Sequence, residues 1–168
     1  MTDLSSPVDG FSWPEASDDD QRLALDNVRE HGAHVICVTG EGPVPQHAFT
    51  LGLFARFGHP EALVLGLPPE VCEDVLGEII DGVADGRTFA DGDEADDILR
   101  SHPMRFVAVP DDARSPWLDL GAWLYASLDG GPPVLQVLWP AKSGRFPGQT
   151  GSPTWMKKHQ PVLGIARP

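Results

Sequence analysis

Two short apolar runs, joined by a Gly-His-Pro corner, constrain this chain most. They cover residues 48–54 and 62–67, with the corner at residues 58–60. Runs of this length, rich in branched and aromatic side chains and separated by a turn, are typical of adjacent buried strands. The second run leads into an amphipathic segment that opens near Pro69. The predicted order is therefore strand, turn, strand and helix.

The segment after Pro69 has the clearest helical period in the chain. Its apolar rows are Val71, Val75, Ile79 and Val83, with Cys72, Leu76 and Ile80 beside them. Proline is well tolerated in the first turn of a helix, and a stripe this broad faces a core. Because the apolar strand precedes the helix directly, we predict one buried cluster containing Val75, Leu76, Ile79, Val64 and Leu65.

The other predicted elements rest on helix-capping residues, on runs rich in β-branched side chains and on turn residues. They are a helix over residues 17–31, strands at 33–39, 105–109 and 134–139, and a helix opening at Pro116. Residues 91–97 hold five carboxylates and predict a solvated loop with a short helix. They lack the glycine and glutamate spacing of a calcium loop, so no metal site is predicted there.

Hairpins with short connections favour an α+β fold rather than alternating strand and helix units. We predict a mostly antiparallel sheet with helices packed on one face, and a barrel-like closure of this sheet stays open as an alternative. A length of 168 residues suits one domain, which we place at residues 17–168. The composition of residues 1–16 predicts a flexible N-terminal arm, although Phe11 and Trp13 could pack against the rest of the domain.

We expect no secretory leader, because no basic segment precedes an apolar core near the N-terminus, and no apolar run reaches the roughly 20 residues that span a bilayer. Cys37 and Cys72 lie in apolar runs and form no CxxC pair, which predicts buried free thiols in a reducing compartment. These features predict a cytoplasmic protein with no membrane partner. The sequence leaves open whether the chain forms an oligomer.

The charge is strongly negative and unevenly distributed. A formal net charge of −13 argues against a nucleic-acid partner, because its field would repel a polyanion. Residues 130–168 nevertheless hold five basic side chains and no carboxylate. This segment either complements the acidic body or forms an anion site.

Five residues are candidates for a ligand-binding site. Thr50 and His47 lie on the first strand of the central stretch, where the Thr50 hydroxyl has apolar neighbours. Trp139, Arg145 and Phe146 place a cation among aromatic rings, which suits a planar or anionic ligand. Simpler roles are a cross-strand hydrogen bond for Thr50 and a tryptophan at the core edge. No nucleophile elbow, Walker loop, dinucleotide fingerprint or zinc-binding histidine pair is present.

Several segments resemble a bacterial family known as domain of unknown function 4262. They are HGAHVICVTGEGPVPQHAFTLGLFARFGHPEALVLGL at residues 31–67, LQVLWP at 135–140, GRFP at 144–147 and QPVLG at 160–164. The chain departs from the family pattern at Ala141, where an acid is usual, and at Gly148, where tryptophan is usual. The resemblance implies the family's fold and a bacterial host, and it implies no activity.

The succession of hairpin, threonine-bearing strand and apolar strand before a Pro-Pro pair is also similar to flavin-binding split-barrel proteins. That resemblance would place Thr50 near a cofactor phosphate, with the basic tail close by. Two functions therefore stay open. One is a small-ligand or cofactor pocket between the Thr50 strand and residues 139–146, with a flavin as the candidate cofactor and enzymatic activity as an option. The other is a non-catalytic module whose acidic surface binds a partner protein.

Overall fold

The computed structural model describes residues 6–42, 44–99, 102–110 and 119–163, which form a mixed α+β fold around one six-stranded sheet. The helices are α1 (Asp19–His31), α2 (Leu53–Phe57), α3 (Pro69–Ala84), α4 (Asp119–Leu124) and α5 (Met156–His159). The strands are β1 (His34–Val38), β2 (His47–Leu51), β3 (Glu61–Leu65), β4 (Glu94–Leu99), β5 (His102–Ala108) and β6 (Val134–Leu138). The predicted α+β class is confirmed.

The sheet is open and mostly antiparallel. Its strand order is β1-β2-β3-β6-β5-β4, and the β3–β6 pair is parallel. Strands β1 and β4 form its two edges, at opposite ends of the order, so they cannot pair with each other. The barrel-like alternative is therefore wrong.

Helices lie against both faces of the sheet. Ala48 and Val64 point to the face covered by α3. Leu51 is an odd number of residues from Ala48 and so points to the other face, where it packs against Ala24 and Leu25 of α1. The predicted placement of helices on one face holds for α3, the longest helix, and does not extend to α1.

The predicted core is confirmed for four of its five members. Val75, Leu76 and Ile79 of α3 are buried in one cluster with Val64 of β3. Leu65 is also buried, but in the cluster on the opposite face of the sheet. Neighbouring strand residues point to opposite faces, so Val64 and Leu65 cannot both contact α3.

Two segments adopt a structure other than the predicted one. The strand predicted over residues 48–54 ends at Leu51, and Gly52, with a φ of 114°, turns the chain into α2. The acidic segment forms strand β4 instead of a loop with a short helix, because pairing with β5 buries its Ala95 and Ile98. The carboxylates of this segment stay exposed to water, so β4 can pair with β5 without burying a charge.

The described part of the predicted arm, residues 6–16, contains no helix or strand and contacts the body through aromatic rings. The Phe11 ring centroid lies 5.0 Å from that of Trp13 and 5.6 Å from that of Tyr125. Residues 1–5 and the predicted helix start at Pro116 lie outside the described residues. Cys72 is buried as predicted, but Cys37 is exposed, because β1 is an edge strand. No helix in the described ranges has the length and apolar character needed to cross a bilayer.

Candidate functional site

The strand directions separate the predicted site residues. Strand β2 runs antiparallel to β3, so Thr50, near the end of β2, lies beside the start of β3. Strand β6 runs parallel to β3, and Trp139 follows its end, where the indole N–H donates to Leu65 O at 2.7 Å. The four steps from Glu61 to Leu65 span roughly 13 Å at the usual strand rise. Thr50 and Trp139 thus lie beside opposite ends of strand β3.

Thr50 belongs to a buried polar network. Its hydroxyl donates to Glu61 Oε1 at 3.1 Å and accepts from Ala62 N at 2.8 Å. The side chain is fully buried. Local hydrogen bonding between β2 and β3 therefore accounts for this hydroxyl.

Glu61 is the centre of that network, and both carboxylate oxygens are saturated. Oε1 also accepts from Leu53 N at 2.8 Å, while Oε2 accepts from Gly52 N at 2.7 Å and from the Tyr125 hydroxyl at 2.8 Å. The Tyr125 oxygen in turn accepts from Ala55 N at 3.1 Å. One side chain thus joins the end of β2, the start of α2 and the segment after α4.

Burial raises the pKa of Glu61 from an ordinary value of 4.5 to about 7. The four hydrogen-bond donors act in the opposite direction, because each favours the ionised carboxylate. Burial also raises the pKa of Tyr125, and the Glu61 charge raises it further, so Tyr125 remains the proton donor in this contact. The network supports the fold and presents no group to solvent, since Glu61 is 1% exposed.

The raised pKa predicts how this carboxylate affects stability as pH changes. Its folded pKa of about 7 lies above the ordinary 4.5, so its stabilising contribution is complete below pH 4.5 and is lost as pH rises through 7. A pKa difference of one between the folded and unfolded chain corresponds to about 1.4 kcal/mol. We therefore expect the stability of the wild type relative to Glu61→Gln, which cannot titrate, to fall by about 2–3 kcal/mol between roughly pH 5 and pH 8.

Urea denaturation at several pH values measures this difference. Tyr125→Phe is the matched comparison, because it keeps the carboxylate and removes one donor that lowers its pKa. Its stability should continue to decrease to a higher pH than that of the wild type. A difference between wild type and Glu61→Gln that stays constant or grows with pH would contradict the assignment.

Trp139 lines an apolar cavity of about 630 Å³ on the face covered by α3, which we call the tryptophan groove. Its lining residues are Leu67, Val71, Leu99, His102, Trp139, Pro140, Ala141, Lys142, Ser143, Pro153 and Trp155. The ring centroids of Trp139 and Trp155 lie 6.0 Å apart with their planes inclined by 30°. Within the described ranges, the exposed Lys142 ammonium forms no ion pair.

The position of Trp139 is fixed by the segment that contains His159 and Gln160. Gln160 is fully buried, accepts from Trp139 N at 2.8 Å and donates to Trp139 O at 2.9 Å. Gly66 lies so close to this segment that a Cβ there would collide with His159 O. The protein itself therefore holds Trp139 in position, without the help of a ligand.

Arg145 and Phe146 lie away from Trp139, on the opposite face of the sheet. Arg145 lines a second cavity of about 570 Å³, the arginine groove, together with side chains of β5 such as Arg105 and Val107. Phe146 is buried, and the Arg105 guanidinium lies 4.6 Å from its ring centroid. Phe146 thus packs against Arg105, a residue of the groove lining, and its buried ring is not available to stack on a ligand.

His47 is buried at the start of β2, and its Nδ1 lies 3.0 Å from Pro45 O. It is paired with Leu65, near the Trp139 end of the sheet, but its ring lies beside Phe49 on the face opposite α3. His59 is also buried: Nδ1 lies 2.8 Å from Pro60 O, and Nε2 accepts from Phe89 N at 3.0 Å. Burial lowers the pKa of His59, which suits a neutral structural histidine.

Of the five predicted site residues, Trp139 and Arg145 line cavities, in two separate grooves. The structure adds His102 and Leu99, which are paired between β5 and β4 and both line the tryptophan groove. It also adds Tyr125 to the Glu61 network. These residues are distant in sequence from their partners and belong to no motif, so no local signal could have identified them.

Comparison with known proteins identifies a family but no activity. No curated protein and no solved structure matches the chain. The similarity to flavin-binding proteins has no support in these comparisons. A family model described as a domain of unknown function, DUF4262, matches residues 27–153, which is more than half of the chain. The chain therefore belongs to the DUF4262 family.

Proposed function

We propose that this protein binds a small ligand, with a flat apolar body and an anionic group, in the tryptophan groove. The observation that carries the proposal is an apolar cavity of about 630 Å³ whose walls include two neighbouring indoles. Cavities of roughly 300–1,000 Å³ with apolar walls and few polar groups are typical of small-molecule sites.

The polar groups of the groove favour an anion. Among the described residues, Lys142 has no ion-pair partner and no carboxylate lines the groove. His102 and Ser143 add hydrogen-bonding groups along the lining. In a chain with a net charge of −13, a local cation beside an apolar cavity is a specific place for an anionic group to bind.

The indoles would contribute most of the ligand contact. Trp139 cannot turn its N–H toward a ligand, because that group donates to Leu65 O, so the flat ring is what it offers. Trp155 is 47% exposed, so a ligand that covers it removes further apolar surface from water. A planar ligand on these rings gains stacking and burial.

Paired probes test the proposal by separating the flat body from the charge. Flavin mononucleotide with riboflavin, and adenosine monophosphate with adenosine, differ by one phosphate within each pair. At least one anionic probe should quench tryptophan fluorescence and raise the melting temperature, because a ligand that binds only the folded state stabilises it. It should bind more tightly than its uncharged counterpart, by roughly tenfold for a partly desolvated contact.

The variants are Lys142→Gln, Trp155→Ala and a control, Arg29→Gln, which removes one positive charge on α1 outside the groove. Lys142→Gln should abolish the difference within a pair and leave the uncharged probe unaffected. Trp155→Ala should weaken both members. If none of the four probes binds, or if Lys142→Gln and Arg29→Gln behave alike, the proposal is wrong.

The outer surface of α3 favours a second candidate function. It presents Glu70, Glu73, Asp74, Glu78 and Asp81 to solvent, and the helix contains no basic residue. Such a surface suits a module that binds a basic partner protein. Lysine substitutions of Glu73, Asp74 and Glu78 should then abolish complex formation and leave probe binding in the tryptophan groove unchanged.

A further inference from the structure

The arginine groove differs from the tryptophan groove in its charges. Among the residues that the structure describes, four charged side chains line it, two acidic and two basic: Asp91, Glu94, Arg105 and Arg145. Formal charge is therefore balanced inside this cavity, although the whole chain carries −13. A balanced site does not favour a simple anion or a simple cation.

Two of the four charges already neutralise each other. Arg105 Nη2 donates to Glu94 Oε1 at 2.6 Å, and Arg105 Nε donates to the same oxygen at 3.0 Å. The guanidinium also lies over the Phe146 ring. Arg105 and Glu94 thus form part of the wall, which leaves Arg145 and Asp91 as the charges available to a ligand.

Arg145 and Asp91 are each positioned by the backbone without pairing with each other. The carbonyl of Arg145 accepts from Ala141 N at 2.8 Å, which holds the loop from which its side chain extends. Asp91 Oδ1 accepts from Ala108 N at 2.9 Å, and no described residue donates to Oδ2, which can therefore face a ligand. Within the described residues, neither Arg145 nor Asp91 forms an ion pair.

We propose that the arginine groove binds a small zwitterion of the amino-acid type, with its carboxylate on Arg145 and its ammonium on Asp91. Guanidinium groups bind carboxylates through paired hydrogen bonds, and a carboxylate with a free oxygen accepts from an ammonium. Val107, Leu138 and Val162 supply an apolar surface for a hydrocarbon side chain. This site is independent of the proposed ligand in the tryptophan groove.

Titration calorimetry with leucine, N-acetyl-leucine and leucinamide tests the two charge contacts separately. N-acetyl-leucine lacks the ammonium, and leucinamide lacks the carboxylate. Glycine is included as the smallest zwitterion. Leucine should bind, and each single-charge analogue should bind at least roughly tenfold more weakly, because one charge-assisted contact is lost.

The variants are Arg145→Gln and Asp91→Asn, each expected to weaken leucine binding by roughly tenfold or more. Both residues are exposed, and asparagine keeps an oxygen for Ala108 N, so the melting temperature should stay close to that of the wild type. The control is Lys142→Gln, which removes a charge from the same loop but lines the tryptophan groove. It should leave leucine binding unchanged.

The proposal is overturned if neither leucine nor glycine binds, or if N-acetyl-leucine binds as well as leucine. Equal binding of leucine by wild type and Arg145→Gln also overturns it. Because Lys142→Gln affects only the flat anionic probes, a failure here is distinguishable from a failure in the tryptophan groove.

Discussion

Replacing Glu61 by alanine should lower the free energy of unfolding by about 3–5 kcal/mol. The substitution removes the acceptor of four hydrogen bonds, from Thr50, Gly52, Leu53 and Tyr125. The two backbone N–H groups cannot turn elsewhere, and each buried donor left without a partner costs about 1–3 kcal/mol. Relief from burying the carboxylate offsets part of this loss. Denaturant unfolding monitored by circular dichroism measures the change.

Glu78→Ala provides the matched control, because Glu78 is exposed on α3. It should change the free energy of unfolding by no more than about 0.5 kcal/mol. A loss below about 1 kcal/mol for Glu61→Ala would show that water replaces the carboxylate and that the network does not hold α2 in place.

Leu76→Ala should lower the free energy of unfolding by about 2–5 kcal/mol. Leu76 is fully buried between α3 and the sheet, in the same cluster as Val64. The substitution loses the transfer free energy of the removed carbon atoms and leaves a cavity that rigid strands cannot fill. Thermal and denaturant unfolding should both report the loss.

Leu23→Ala is the control for that substitution, since Leu23 lies in helix α1 and is 54% exposed. Its effect should stay within about 0.5 kcal/mol, because no buried cavity forms and alanine is a good helix former. Equal losses for the two variants would mean that the cost arises from helix propensity and not from the core.

Local patterns predicted the elements whose signal lies within one segment. Helix α3 and strand β6 are examples: the apolar period of the first, and the apolar run of the second, which only Gln136 interrupts, require no distant partner to be recognised. Strand β4 could not be predicted in this way, because its exposed acidic residues resemble a solvated loop. Its pairing with β5 decides its conformation.

The candidate site shows the same division. Trp139, Lys142 and Arg145 lie in one short segment of the sequence, so chain connectivity alone keeps them near each other. It could not predict that Lys142 and Arg145 line grooves on opposite faces of the sheet. That outcome depends on how the loop after β6 crosses the end of the sheet.

Sequence alone was enough to predict the α+β class, the family, the buried stripe of α3 and the positive charge of the last segment, since each is a property of neighbouring residues. The tertiary structure was needed to find that Thr50 donates a hydrogen bond to Glu61 and lies away from Trp139. The parallel alignment of β3 with β6 puts the two residues at opposite ends of the sheet. Strand direction results from the packing of the whole chain, and no local pattern encodes it.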